Sequence, residues 1–331
     1  EPSVPVEVPE TSGKSARVPG PGAHRVSGAN RYATAVSLST FTYPDGADTV
    51  IVASGTAFPD GLAAAPLAAK LQGPLLLTPA SRLDAGVASE IRRLQPAQVI
   101  VVGGTGAVSA ATFKELGALT KSVTRLGGAN RYETAQKIAQ FGWPEGSSDI
   151  VVATGALYAD ALSASPVASI LDAPLVLVPT ATGTGIVPAQ TVLRGSGATT
   201  IHIAGGTGAV SNAVVSALVK STAVNAVRYG GADRYETSAL LIKAHFTTGT
   251  PAIYWVSGQN FPDAIAGAAA AGATKSALAL SKQQCVPSAV SQQSKRLGTC
   301  SSVTLGGPAV LSDAVLQGLE CFASTPAPTI S

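Results

Sequence analysis

Along the first third of the chain the apolar positions fall in short unbroken runs, Thr49 to Ala53, Leu75 to Thr78 and Gln98 to Val102. Runs of this length without polar alternation are characteristic of strands buried on both faces of a parallel sheet. Between them lie segments with helical patterning, Asp60 to Leu71 and Leu83 to Leu94, and further helices are expected near Tyr32 to Ser39 and over Ser109 to Leu119. A last strand, Ser122 to Leu126, reads as the opening of a new unit. Strands and helices alternating with connections of a few residues predict an open parallel α/β sheet with helices on both faces.

The same pattern then recurs twice. Gly28-Ala29-Asn30-Arg31-Tyr32 returns as Gly128-Ala129-Asn130-Arg131-Tyr132 and as Gly231-Ala232-Asp233-Arg234-Tyr235, at intervals of 100 and 103 residues. Phe58-Pro59-Asp60 returns at the same two intervals as Tyr158-Ala159-Asp160 and Phe261-Pro262-Asp263. A third marker, Gly103-Gly104 with Ala107-Val108-Ser109, returns as Gly205-Gly206 with Ala209-Val210-Ser211, and as Gly306-Gly307 with Ala309-Val310-Leu311-Ser312. Three markers in one register define a threefold tandem repeat. The expected organisation is a tail over 1–23, modules over 24–122, 123–225 and 226–322, and a second tail over 323–331.

All three markers follow strands, and open parallel sheets bind ligands beyond the carboxyl ends of their strands. Simpler roles compete. Asp60, Asp160 and Asp263 precede alanine-rich helices and read first as N-caps, as do Ser109, Ser211 and Ser312. The double glycines suit tight strand-to-helix turns. Arg31, Arg131 and Arg234 are harder to explain, because a cation at a helix start opposes the macrodipole. Each calls for a carboxylate, with the aspartate of its own copy as the first choice, or for an anionic ligand. Tyr32, Tyr132 and Tyr235 read as packed under the loop rather than as sugar platforms.

Composition narrows the field. Hydrophobic residues make up 46% of the 331 positions, enough for buried cores, whereas charged residues make up 12% and the net charge is +3. The longest cationic run is Arg92-Arg93, which argues against nucleic acid as a partner. The apolar residues are mostly alanine and valine in interrupted stretches, so no membrane span is expected. The chain contains no methionine and opens on a Pro-, Gly- and Val-rich stretch, Glu1 to Gly22, which reads as an extended tail on a mature, exported protein. Ser324 to Ser331 reads as a second tail. Cys285, Cys300 and Cys321 all lie in the last third. Cys285 and Cys300 flank a predicted helix of about 11 residues, whose ends stand roughly 16 Å apart, beyond the reach of a disulfide. Cys321 is therefore expected to bond one of the other two.

Signals for catalysis are weak. Gly104-Thr105-Gly106-Ala107-Val108-Ser109 departs from a dinucleotide-binding loop, and no acidic residue follows at the required distance. His24, His202 and His245 fall at unrelated repeat positions, and no cluster of metal ligands is present in the sequence. Glu133 and Glu236 have Ala33 as their counterpart in the first copy, so paired carboxylates of the glycosidase kind do not repeat. No cofactor or metal is expected.

The repeated module resembles the cell-wall-binding repeat type 2 family of Gram-positive bacteria. The resemblance rests on Arg25 to Tyr32 and Arg125 to Tyr132, on Phe58 to Leu62 and Tyr158 to Leu162, on Pro74-Leu75-Leu76-Leu77-Thr78, and on the Gly-Gly turn ending in Ala-Val-Ser. It extends from residue 24 to about 322. It implies three similar α/β units packed side by side as a pseudo-threefold disc, non-covalent attachment to an anionic secondary wall polymer such as a teichoic-acid-like chain, and frequent association with a separate effector domain. It also implies polymer contacts in grooves near the strand that begins with proline, at Pro74 to Leu77 and Pro174 to Leu177, which adds Leu75, Leu76, Leu175 and Leu177 as candidates. The third copy, Ser276-Ala277-Leu278-Ala279-Leu280, lacks the proline and reads as a structural partner.

The expected function is binding of a cell-wall polysaccharide or related anionic polymer at the cell surface without enzymatic activity. The candidate contacts are Asn30, Arg31, Asn130, Arg131 and Arg234, the aspartates Asp60, Asp160 and Asp263, and the four leucines. Three weak sites on one body would gain retention on a repeating polymer through effective concentration. The rivals are self-assembly into a surface array and, more weakly, cell-wall hydrolysis.

Overall fold

A computed structural model describes residues 14–222 and 224–321. The first copy runs β1 (Gly22–Val26), α1 (Arg31–Thr42), β2 (Thr49–Ser54), α2 (Pro59–Lys70), β3 (Leu75–Thr78), α3 (Ala85–Leu94), β4 (Gln98–Val102) and α4 (Ala110–Gly117). The second runs β5 (Ser122–Leu126), α5 (Arg131–Gly142), β6 (Asp149–Thr154), α6 (Ala159–Ile170), β7 (Leu175–Val178), α7 (Val187–Ser196), β8 (Thr200–Ala204) and α8 (Asn212–Thr222). The third runs β9 (Asn225–Tyr229), α9 (Arg234–His245), β10 (Ile253–Ser257), α10 (Pro262–Ala273), β11 (Ala277–Ser281), α11 (Ser288–Leu297), β12 (Ser301–Leu305) and α12 (Asp313–Leu316). The unbroken apolar runs of the sequence are the central strands, and β2, β3 and β4 are buried along their whole length.

Each module is a four-stranded parallel sheet flanked by helices, with strand orders β3-β2-β4-β5, β7-β6-β8-β9 and β1-β12-β10-β11. The opening strand of each copy therefore pairs with the sheet of the copy before it. β5 lies along β4 with Gln98 opposite Ser122 and Val102 opposite Leu126, and β9 lies along β8 in the same way. In the first copy β1 closes the circle on β12, Gly22 opposite Ser301 and Val26 opposite Leu305. Ser122 to Leu126 thus begins a copy by sequence and ends a sheet by hydrogen bonding. Burial explains the division: the opening strands are part-exposed edge strands that need only one partner.

The three modules meet on α2, α6 and α10, which contact one another pairwise. The seams repeat around this centre: α5 packs on α2, α9 on α6 and α1 on α10. Small side chains permit the approach. At one level Ala69, Ser169 and Gly272 face each other, and a Cβ on Gly272 would stand 2.3 Å from Ser169 Oγ and 2.9 Å from Ala69 Cβ. One apolar cluster runs through all three modules, and a second lies wholly within the second module, around Ile150, Val176 and Ile201.

The reading of residues 1–23 as a tail is corrected for its last part. Lys14 stands 3.6 Å from Asp48, the Arg17 amide donates to the Thr42 carbonyl, and β1 begins at Gly22. Residues 1–13 and the expected tail at 323–331 lie outside the described residues. Cys321 is bonded to Cys285 with a Cα separation of 4.9 Å, which selects one of the two expected pairings, and Cys300 is free and exposed.

Candidate binding clefts at the module junctions

Asp60, Asp160 and Asp263 are not N-caps. The cap positions are Phe58, Tyr158 and Phe261, none of which makes a side-chain capping bond, and each aspartate lies inside the first turn. Their carboxylates turn instead onto the double-glycine turn of the same module. Gly103, Gly205 and Gly306 have φ of +99°, +108° and +99°, and a Cβ there would stand 2.5, 2.5 and 2.9 Å from an oxygen of Asp60, Asp160 and Asp263 respectively. Glycine is required on both counts, for the left-handed backbone and for the close carboxylate. Burial raises the pKa of all three aspartates; the Thr134 hydroxyl and Arg131 oppose this at Asp60, Arg234 at Asp160, and Thr34 and Arg31 at Asp263.

Those pairings correct the expectation that each arginine faces the aspartate of its own copy. Arg131 acts on Asp60, Arg234 on Asp160 and Arg31 on Asp263, always across a junction and always with the preceding copy around the ring. None of these pairs is among the ion pairs within 4.0 Å of the described residues. Each guanidinium is held by its own copy, donating from one terminal nitrogen to the carbonyl of Gly55, Gly155 or Gly258, the residue after β2, β6 or β10. Arg234 also donates to the Tyr158 hydroxyl. A guanidinium has five N–H donors, so most of each fork is left for other acceptors.

At the centre of the junctions Phe58, Tyr158 and Phe261 form a triangle with ring centroids 5.6 to 5.9 Å apart. Arg131 lies over Phe58 at 5.7 Å and Arg234 over Tyr158 at 5.6 Å, within cation–π range. Tyr32, Tyr132 and Tyr235 pack their rings against Gly55, Gly155 and Gly258. Asn30 and Asn130 are the N-caps of α1 and α5, each side-chain oxygen accepting from two backbone amides, as Asp233 does at α9.

Two open clefts follow from this geometry. One, of about 260 Å3, lies between the first and second copies and is lined by Asp60, Gly104, Gly106, Asn130, Arg131 and Thr134. The other, of about 270 Å3, lies between the second and third and is lined by Asp160, Gly206, Gly208, Asp233, Arg234 and Thr237. The structure so gathers the arginines, aspartates and asparagines at the junctions. It does not bring the leucines there: Leu75, Leu76, Leu175 and Leu177 are at most 2% exposed and offer a polymer no surface. Strands covered on both faces leave no side chain free.

A second set of arginines, two of which open the repeated motif at Arg25 and Arg125, had no role legible in the sequence. Arg25, Arg125 and Arg228 donate to the carbonyls of Gly306, Gly103 and Gly205, fastening each double-glycine turn to the incoming strand. Their recurrence at the repeat interval was the available signal. Two of the three histidines also meet: the rings of His202 and His245 are 5.2 Å apart, with His202 2.8 Å from Asp149. Burial, and then His202, hold His245 down to about 4.

Comparison with known proteins gives this geometry a family. A model of cell wall binding domain 2 (CWB2) matches residues 25–113, 125–215 and 228–316. The chain is 36% identical over 258 residues to the N-acetylmuramoyl-L-alanine amidase LytC of Bacillus subtilis, covering 77% of this chain and 49% of the amidase. It is 28% identical over 296 residues to the amidase enhancer of the same organism, covering 89% of this chain and 40% of that protein. The chain thus spans half or less of the length of these relatives. Among solved structures it resembles Cwp6 from Clostridium difficile, with a TM-score of 0.82 and 25% identity over 91% of this chain and 48% of that one. It also resembles Cwp8 from the same organism, with a TM-score of 0.79 and 27% identity over 88% of this chain and 50% of that one. With all three copies matched by one family model, the chain belongs to the cell wall binding domain 2 family.

Proposed function

We propose that the chain is a non-enzymatic binding module that holds an exported protein at the cell surface by gripping an anionic cell-wall polymer at its module junctions. The observation that carries this reading is the recurrence of one arrangement around one centre: an arginine forked from a glycine carbonyl, an aspartate of the preceding copy, and a double-glycine turn. A guanidinium oriented in this way suits a phosphate or carboxylate, each charge-assisted bond contributing about 1.5–3 kcal/mol. The backbone amides at the N-termini of α1, α5 and α9 add favourable potential for an anion. Repetition at a fixed spacing suits a polymer better than a single small ligand, because the second contact is made at high effective concentration.

The test is co-sedimentation with bacterial cell walls before and after acid extraction of phosphodiester-linked polymers. Binding to intact walls that is lost on extraction is the expected result. Replacing Arg31, Arg131 and Arg234 together by glutamine should weaken that binding by at least about tenfold with the circular dichroism unchanged. Retention on extracted walls would move the target to peptidoglycan, and soluble fragments released from the walls would show hydrolysis. Particle growth without wall material, with no binding, would favour self-assembly.

A further inference from the structure

The second copy differs from the other two where the last turn of the outer helix meets the end of the first helix of the copy. In the first copy Arg93, in the last turn of α3, fills this place. It donates to both oxygens of the buried Glu90 at 2.7 Å, and to the carbonyls of Tyr43 at 2.9 Å and Pro44 at 3.0 Å, just beyond the end of α1. The third copy repeats the device. Arg296, in the last turn of α11, donates to Gln293 at 2.8 Å and to the carbonyls of Ile242 and Phe246 at 3.1 and 2.9 Å at the end of α9. Counting back from the left-handed residue that ends each helix, Gln95, Gly197 and Gly298, the second copy has Gly195 in place of the arginine and Val192 in place of its partner.

The consequence is a cleft of about 210 Å3 within the second module, lined by Gln140, Trp143, Pro144, Pro174, Val192 and Gly195 among others. A Cβ on Gly195 would meet nothing within 4 Å. Trp143 and Pro144, the counterparts of Tyr43 and Pro44, line it, and no side-chain donor reaches their carbonyls among the described hydrogen bonds. The neighbouring Arg194 donates to Thr191 instead. The carboxyl ends of α5 and α7 both border the cleft, a potential that favours a cation, over an apolar floor of Trp143, Pro174 and Val192.

We propose that this cleft is a receptor for a guanidinium on an alkyl stem, an arginine side chain supplied by another polypeptide. The chain fills the equivalent space with its own arginine in the other two copies, so the acceptor geometry is one that a guanidinium satisfies. Neither residues 1–13 nor residues 322–331 supply the occupant, since they contain no arginine or lysine. The site stands apart from the junction clefts, although Pro174, where the family resemblance implies a polymer contact, is part of its lining.

The test titrates the whole chain with agmatine, a guanidinium on a four-carbon stem, by calorimetry and by NMR of the Trp143 indole. One saturable equivalent is expected. Gly195→Arg should rebuild the plug, weaken agmatine by at least about tenfold and raise the melting temperature. Arg296→Gly, which leaves only the neutral Gln293 without its partner, should open a second cleft and raise the stoichiometry to two. Absence of saturable binding to wild type overturns the proposal, as does binding undiminished by Gly195→Arg in a folded protein. Preference for glucosamine over agmatine would overturn it in favour of an amino sugar of the wall.

Discussion

The first two sheets and the third reach the same architecture by different routes. β2 to β5 and β6 to β9 are contiguous in the chain, so each of those sheets is completed by the strand that follows it. In the third the edge is supplied from about 280 residues upstream by β1, with Arg25 reaching the carbonyls of Gly306 and Leu311 and standing 3.0 Å from Asp313. Its far end is stapled by Cys285–Cys321, beside an isolated bridge between Val286 and Glu320. The difference predicts that the ring, rather than the single repeat, unfolds as one unit. Two junctions are held by chain continuity, and the third by a strand and the contacts around it.

The largest expected effect therefore comes from removing that strand. Deleting residues 1–27 takes away a five-residue parallel ladder and the Arg25 contacts, a loss of about 5 kcal/mol at about 1 kcal/mol per hydrogen bond. Trp255 lies in β10 of the same sheet, so near-UV circular dichroism during thermal unfolding reads the event directly. Rejoining residues 14–27 to the C-terminus through a flexible linker should restore the transition. If deletion leaves the melting curve unchanged, the ring is not the cooperative unit. A smaller effect is expected at the staple. Cys321→Ser opens a 36-residue separation, which by the chain-entropy argument costs about 3–4 kcal/mol. Urea unfolding with and without reductant should show that loss, with the Cys321→Ser protein insensitive to reductant.

The repeat was legible in the sequence because one register carried three separate markers, and the strands because parallel sheets bury both faces of an apolar run. What was not legible lies between copies. Asp60 looked like a cap because it precedes a helix, yet tertiary packing turns its carboxylate onto Gly103, and the arginine whose charge acts on it comes from the next copy. Local spacing cannot reveal a partner that chain continuity places in a neighbouring module. The leucines failed for the converse reason. The features that mark Leu75 and Leu175 as a strand also guarantee their burial, so they position the site without touching a ligand.

The smallest effect sharpens the comparison most finely, because it concerns one residue type at one repeat position. Ser109 accepts from the Thr112 amide at 3.1 Å and Ser211 from the Val214 amide at 3.3 Å, each capping the last helix of its copy. Ser312 occupies the same position before α12 but makes no side-chain capping bond, and its hydroxyl is buried without a partner. The helix behind it is four residues long, against eight in α4. Ser109→Ala should cost about 1 kcal/mol, the usual worth of a serine cap. Ser312→Ala should cost nothing or stabilise slightly, since it removes an unsatisfied buried hydroxyl. Equal losses at the two sites, measured by urea unfolding of the intact chain, would mean that the third copy caps its helix as the first does, and that the strand from upstream replaces only the edge of the sheet.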